Sequence, residues 1–361
     1  MSQPSGSRPE IPVVVLAGFL GSGKTTLLNH LLHRSGGSRI GAIVNDFGAI
    51  EIDAMAVAGA LGDSTVSLGN GCLCCAVDVS ELDGYLARLA HPDTGIDVIV
   101  VEASGLAEPQ ELVRMVLASE QPGIVYGGLV EVVDAAEFDD TRARHPEIDR
   151  HLALADLVVV NKLDRAADAE HVLALVHRLV DRAAVVPATY GRIDPEFLFD
   201  CRPAEERIGQ LSFDDLHDDH SHGHGHGHGD DHAGHLHSGY DSLSFACDEP
   251  LDPRRLMAFL DSRPEGLYRI KGYVDFGPYD VRNRYAVHAV GRFLRFYPEA
   301  WAPGDARLTQ LVLIGSGIDT PALRKELEAC RADADAPHAD EAGMWGVLRY
   351  VPDPDEQDPD F

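Results

Sequence analysis

The sequence Ile11-Pro-Val-Val-Val-Leu-Ala-Gly18-Phe-Leu-Gly21-Ser22-Gly23-Lys24-Thr25-Thr26-Leu-Leu-Asn-His-Leu-Leu32 joins two kinds of segment through one loop. Its start, Ile11 to Leu16, is a β-branched apolar run that reads as a buried strand, and Thr25 to Leu32 reads as a helix. Between them, Gly18 to Thr25 matches G-x-x-x-x-G-K-[ST], a phosphate-binding loop in the strand-to-helix setting that the motif requires. Glycines at 18, 21 and 23 let the chain double back. The N–H groups of Gly21, Ser22, Gly23 and Lys24 then converge on a β-phosphate, together with the positive end of the helix dipole. Lys24 reaches the β and γ oxygens, the Thr25 hydroxyl takes Mg²⁺, and Thr26 joins the nucleotide-binding residues of that turn.

Working outward, apolar runs alternate with helix-period segments as far as about Pro187. Ile40 to Val44, Val98 to Val101, Leu129 to Val133, Leu157 to Val160 and Val185 to Val186 are the expected further strands. Val172, Leu175, Val176 and Leu179 mark a second helix by their i, i+3, i+4, i+7 spacing. The pattern predicts an α/β domain, a doubly wound and mostly parallel sheet over 11–210. Asn161-Lys162-Leu-Asp164 follows one strand directly, at the edge where such sheets bind ligands. A carboxylate there accepts from N1–H and the 2-amino group of guanine, and adenine offers neither donor, so GTP and GDP are expected rather than adenine nucleotides. Glu102-Ala-Ser-Gly105 ends another strand: Glu102 is expected on Mg²⁺ or its water, and the Gly105 N–H on the γ-phosphate. The catalytic set is therefore Lys24, Thr25 and Glu102. Asp46 and Asp53 fall where a nucleotide-sensing segment follows the first helix.

The 361 residues carry thirty Lys and Arg against fifty-nine Asp and Glu, a net charge of −29, which speaks against nucleic-acid partners. Six cysteines are too few for a disulfide scaffold, and no apolar run is long enough to span a bilayer, so a soluble cytoplasmic protein is expected. Three of those cysteines crowd into Gly69-Asn-Gly-Cys72-Leu-Cys74-Cys75, where glycines allow thiolates to converge, and soft sulfur suits Zn²⁺ or Cu⁺ better than Mg²⁺; the leading expectation for the cargo is Zn²⁺, with Co²⁺ next. Asp46 is the candidate carboxylate to complete the tetrahedron. A His, Gly and Asp tract over 211–241, with His222, His224, His226 and His228 alternating with glycine, reads as a metal-collecting linker. Beyond it, 242–332 predicts a second, smaller α+β domain, with strands at Ser242 to Ala246, Leu267 to Val274, Arg292 to Phe296 and Leu311 to Ile314. Residues 1–10 read as a disordered terminus and 333–361 as an acidic tail.

Together, Gly18 to Thr25, Glu102-Ala-Ser-Gly-Leu-Ala-Glu-Pro109, Asn161 to Asp164 and Gly71-Cys-Leu-Cys-Cys75 resemble the CobW-like metallochaperones, a family of P-loop GTPases. Leu267-Tyr-Arg-Ile-Lys-Gly-Tyr273 and Leu308 to Gly315 look like that family's C-terminal domain. The resemblance implies a GTPase whose metal loop lies between nucleotide-sensing segments and whose hydrolysis releases an ion to a client apo-metalloprotein, as a monomer or a metal- or nucleotide-dependent homodimer. Many members read Asn-Glu-Phe-Gly-Glu where this chain has Asn45-Asp-Phe-Gly-Ala49; Asp46 reaches less far than Glu, and Ala49 cannot ligate. The rival readings are a nucleotide-regulated zinc buffer and a small-molecule kinase, the second opposed by Asn161 to Asp164.

Overall fold

The computed structural model describes residues 10–44, 65–67, 79–105, 107–200, 240–332 and 341–352. Asp46, Asp53, Cys72, Cys74, Cys75, His222, His224, His226 and His228 lie outside the described residues.

Seven parallel strands form the first sheet in the order β3-β2-β4-β1-β5-β6-β7: β1 (Ile11–Gly18), β2 (Ile40–Val44), β3 (Thr65–Ser67), β4 (Val98–Glu102), β5 (Ile124–Asp134), β6 (Leu157–Asn161) and β7 (Ala184–Pro187). Both faces are covered, which is why these strands read as continuous apolar runs. On β1, Val14 and Leu16 enter one core while Val13, Val15 and Ala17 enter the other. The first face packs α1 (Lys24–His33) through Leu27, Leu28, Leu31 and Leu32. Burying each such leucine contributes roughly 1.5–3 kcal/mol. The opposite face takes α2 (Val79–Ala90) and α3 (Pro109–Leu117) beside β1 and β4. Beyond β5 it takes α4 (Phe138–Arg144), α5 (Ile148–Leu154) and α6 (Ala169–Leu179).

A five-stranded antiparallel sheet follows in the order β11-β10-β9-β12-β8, built from β8 (Asp241–Cys247), β9 (Leu267–Val274), β10 (Asn283–Val290), β11 (Phe293–Ala300) and β12 (Thr309–Gly315). Alternation along β8 and β10 sends one residue in two to a core shared with α7 (Pro253–Asp261), α8 (Thr320–Glu328) and α9 (Trp345–Leu348). Asp252 and Asp319 cap α7 and α8, each with a proline in the first turn.

The two sheets meet at the amino end of β5. The Tyr268 hydroxyl donates to the Gly127 carbonyl at 3.3 Å, and Tyr268, Val290 and Ile314 complete the α1-side core. Asp156, just ahead of β6, accepts from the Tyr126 hydroxyl at 2.6 Å and the Leu129 N–H at 2.9 Å. A side chain at Gly291, which has φ 52°, would run into that carboxylate. His288 Nε2 donates to the Tyr126 carbonyl at 3.0 Å, and burial holds the imidazole down at about 4, so it is neutral.

Four features differ from the sequence reading. The strand expected over Leu129 to Val133 starts at Ile124, passing through Gly127 and Gly128, which weaken a strand signal. β10, which opens on Asn283 and Arg284, and the short β3 escaped recognition altogether. Residues 341–352, assigned to the acidic tail, instead pack: Met344 and Val347 are buried, and the Phe296 N–H donates to the Tyr350 carbonyl at 3.0 Å. Glu10, assigned to the polar N-terminus, bonds Tyr297 of β11.

Candidate functional site

The site lies at the carboxyl edge of the seven-stranded sheet, where β1, β4, β5 and β6 end. Gly18, Gly21 and Gly23 have φ of 143°, 76° and 104°, values that side chains rarely tolerate, so the loop depends on glycine at these positions. At Gly23 the space is also closed, since an added methyl would strike the Asn161 amide. Ser22 is buried, and its Oγ has no hydrogen-bond partner, an oriented polar atom that suits a nucleotide cradle.

The Thr25 hydroxyl donates to Glu102 Oε1 at 2.8 Å across 77 positions of sequence. Two residues expected on Mg²⁺ from separate motifs are thus in contact, and two hard oxygen donors fit that ion. Lys24 Nζ donates to the Gly18 carbonyl at 2.9 Å and the Phe19 carbonyl at 3.4 Å, so its ammonium lies against the carbonyls of its own loop. Gly105 sits against Leu20: an added Cβ would stand 2.8 Å from the Leu20 nitrogen. The turn expected to sense the γ-phosphate therefore touches the phosphate loop. Glu108, ahead of α3, ties that segment to Arg150 of α5 by an ion pair.

Asn161 and Lys162 brace the loop from the base side. Asn161 Nδ2 donates to the Ser22 carbonyl at 2.9 Å, and its Oδ1 accepts from the Gly191 N–H at 2.8 Å. Lys162, in the left-handed region at φ 60°, donates to the Gly21 carbonyl and to Asp134 Oδ2, both at 2.6 Å. Asp164 follows in a short 3-10 turn and is exposed, and Thr26 is exposed on the first turn of α1. Gly191 packs against the backbone at Thr26 and Leu27.

Three participants escaped the sequence reading. Asp134 anchors Lys162, and Gly191 seats the segment after β7 on α1. Glu131, on β5, is buried, and burial pushes its carboxyl up to about 8 against the opposing pull of the Lys24 charge. A strand end followed by Asp is a weak signal for the first. Nothing local marks the other two.

A glycine-built phosphate loop, a Thr–Glu oxygen pair and an Asn-Lys-x-Asp turn on one parallel-sheet edge define a P-loop GTPase. Residues 12–187 match the CobW/HypB/UreG nucleotide-binding domain, and 240–331 match the cobalamin synthesis protein cobW C-terminal domain. The chain belongs to the CobW family. It is 31% identical to "Zinc chaperone CobW" of Pseudomonas aeruginosa, over 91% of this chain and 94% of that protein. A protein of the same description from Sinorhizobium sp is 29% identical over 91% of this chain and 99% of its own length. The Zn(II)-bound YjiA GTPase structure from E. coli covers 90% of this chain and 100% of that chain, at 22% identity and a TM-score of 0.42.

Among the described residues no helix is long and apolar enough to cross a membrane, and no group of three His, Cys, Asp or Glu side chains could hold a metal ion.

Proposed function

We propose that this GTPase is a zinc metallochaperone: it binds Zn²⁺ through Cys72, Cys74 and Cys75 and surrenders it to a client apo-metalloprotein when GTP is hydrolysed. The observation that carries the reading is topological. β3 ends at Ser67, paired through β2 with β4, on the sheet edge where Glu102 and the phosphate loop also end; the cysteines follow it in sequence. Kinship with zinc chaperones over 91% of the chain supports zinc as the cargo, ahead of Co²⁺. Asp46 is the candidate fourth ligand and Asp53 a nucleotide-linked acid. The histidines at 222, 224, 226 and 228 would collect ions weakly for the thiolates.

Hydrolysis proceeds by in-line attack of water on the γ-phosphate. Lys24, the N–H groups of Gly21 to Lys24 and the α1 amino end stabilise charge on the transferring group, and the Gly105 N–H donates to the γ oxygens. Thr25 and Glu102 would hold Mg²⁺, directly or through its water; when bound, that ion neutralises charge on the β and γ oxygens. Asn161 and Lys162 keep the loop in register, and Asp164 reads guanine.

The test is zinc handover. Protein loaded with zinc and GTP should pass the ion to a chromophoric chelator at the rate of hydrolysis, and should retain it with a non-hydrolysable GTP analogue. Equal release with both would favour the zinc-buffer reading instead.

A further inference from the structure

Tyr190 is held in a conformation that its own turn does not favour. Among the described residues, Lys162 and Tyr190 are the two non-glycine residues with positive φ, and both stand at the carboxyl edge of β6 and β7. The Arg192 N–H donates to the Thr189 carbonyl at 3.1 Å, closing a turn whose central residues are Tyr190 at φ 55° and Gly191 at φ 66°. That φ pattern belongs to the type I′ turn, whose first central position ordinarily carries Asn, Asp or Gly. A bulky side chain there is strained. No contact within the chain offsets the strain: Tyr190 is 67% exposed, and it makes no side-chain hydrogen bond or ring contact among the described residues. A single exposed aromatic needs no explanation, but a strained one does.

The backbone of this turn is fixed from two sides. The Ala188 N–H donates to the Val160 carbonyl at 2.8 Å, and the Leu163 N–H donates to the Ala188 carbonyl at 3.4 Å. One residue past Tyr190, the Gly191 N–H donates to Asn161 Oδ1 at 2.8 Å. Gly191 also lies so close to α1 that an added Cβ would stand 2.8 Å from the Leu27 nitrogen. Tyr190 is thus pinned between the Asn161 to Asp164 turn and the start of α1, the helix that follows the phosphate loop. These bonds hold the backbone in the left-handed region and leave the ring in solvent, beside the residues expected to take the base.

We propose that Tyr190 is a further base-binding residue: its ring stacks on the purine face of GTP and GDP while Asp164 reads the edge. The proposal rests on the reading of Asn161 to Asp164 as the guanine site. The two contacts differ in kind. Bonds to the Asp164 carboxylate tell guanine from adenine, whereas stacking tolerates any base because every base has a π-face. Tyr190 therefore adds affinity for the nucleotide without adding to the preference for guanine. The strained turn keeps its ring in place before the nucleotide arrives.

Calorimetric titration of the full chain with Mg²⁺ and GDP, beside Mg²⁺ and inorganic pyrophosphate, tests this on the wild type, Tyr190→Phe, Tyr190→Ala, Tyr190→Gly and Asp164→Asn. Tyr190→Phe keeps the ring and should bind GDP within about threefold of wild type. The Ala and Gly variants should each weaken GDP binding by about five- to hundredfold and leave pyrophosphate binding within about twofold of wild type. Thermal melts separate binding from folding. Glycine relieves the left-handed strain that alanine keeps, so Tyr190→Gly should melt above Tyr190→Ala while both bind GDP equally weakly. Wild-type GDP affinity in Tyr190→Ala overturns the proposal, as does an equal loss of pyrophosphate, or a loss of GDP affinity that follows the melting temperature. Asp164→Asn separates the two levels. If it loses GDP affinity while Tyr190→Ala does not, Tyr190 alone is refuted; undiminished GDP binding by Asp164→Asn refutes the reading beneath, and the proposal with it.

Discussion

Lys24→Ala is expected to weaken GTP binding by at least about a hundredfold and to bring hydrolysis down to background. The reason is charge. A triphosphate entering this loop meets backbone dipoles, the amino end of α1 and one ammonium, in a chain whose net charge is −29. Without that ammonium, the remaining donors face the β and γ oxygens with no full positive charge from the loop. Folding should survive, because α1 is anchored by Leu27, Leu28, Leu31 and Leu32 rather than by Lys24. A filter-binding or fluorescent-nucleotide titration, with a thermal melt as control, reads the effect. Near-wild-type affinity in a folded Lys24→Ala protein would remove Gly18 to Thr25 from the nucleotide site.

Asp164→Asn should exchange one base for another. The exposed Asp164 carboxylate makes no hydrogen bond or ion pair among the described residues, and it follows the Asn161 and Lys162 side chains that bond the phosphate loop. Two charge-assisted bonds to guanine N1–H and the 2-amino group are worth about 1.5–3 kcal/mol each, with context able to halve that. The variant should thus lose on the order of 10²-fold in GTP affinity. An Asn amide can donate to the 2-oxo group of xanthine, so XTP should become the better substrate. Hydrolysis rates for GTP and XTP, measured in parallel, check the exchange; unchanged preference for GTP would show that the base is read elsewhere.

Most of this site is legible in sequence because its parts are local. Gly18 to Thr25 and Asn161 to Asp164 are each a strand end, a turn and a few side chains within eight residues, and the chemistry requires those types at that spacing. Contacts across the sheet are different. The Thr25–Glu102 and Lys162–Asp134 pairs depend on β1, β4, β5 and β6 being neighbours, which is a property of strand order. Glu131 is harder still. An acid between valines on a strand ordinarily reads as a solvent-facing position, and only a sheet covered on both faces makes it buried. In the C-terminal half, Asn283 to Val290 opens on Asn and Arg, and its inward Tyr285, Val287 and Ala289 alternate with Ala286 and His288, a contrast too weak to mark a strand. Gly291 was equally silent, since the Asp156 carboxylate that excludes a side chain there belongs to the other sheet.

The account's central claim is that the nucleotide and metal sites are coupled, and the most direct test is GTP hydrolysis by metal-free protein titrated with Zn²⁺ and, separately, Co²⁺, beside a variant with Cys72, Cys74 and Cys75 all replaced by serine. The account predicts slow turnover without metal, stimulation by Zn²⁺ that saturates with thiolate occupancy, and no stimulation in the serine variant. A wild-type rate indifferent to Zn²⁺ although the cysteines bind it, or equal stimulation of the serine variant, would contradict it.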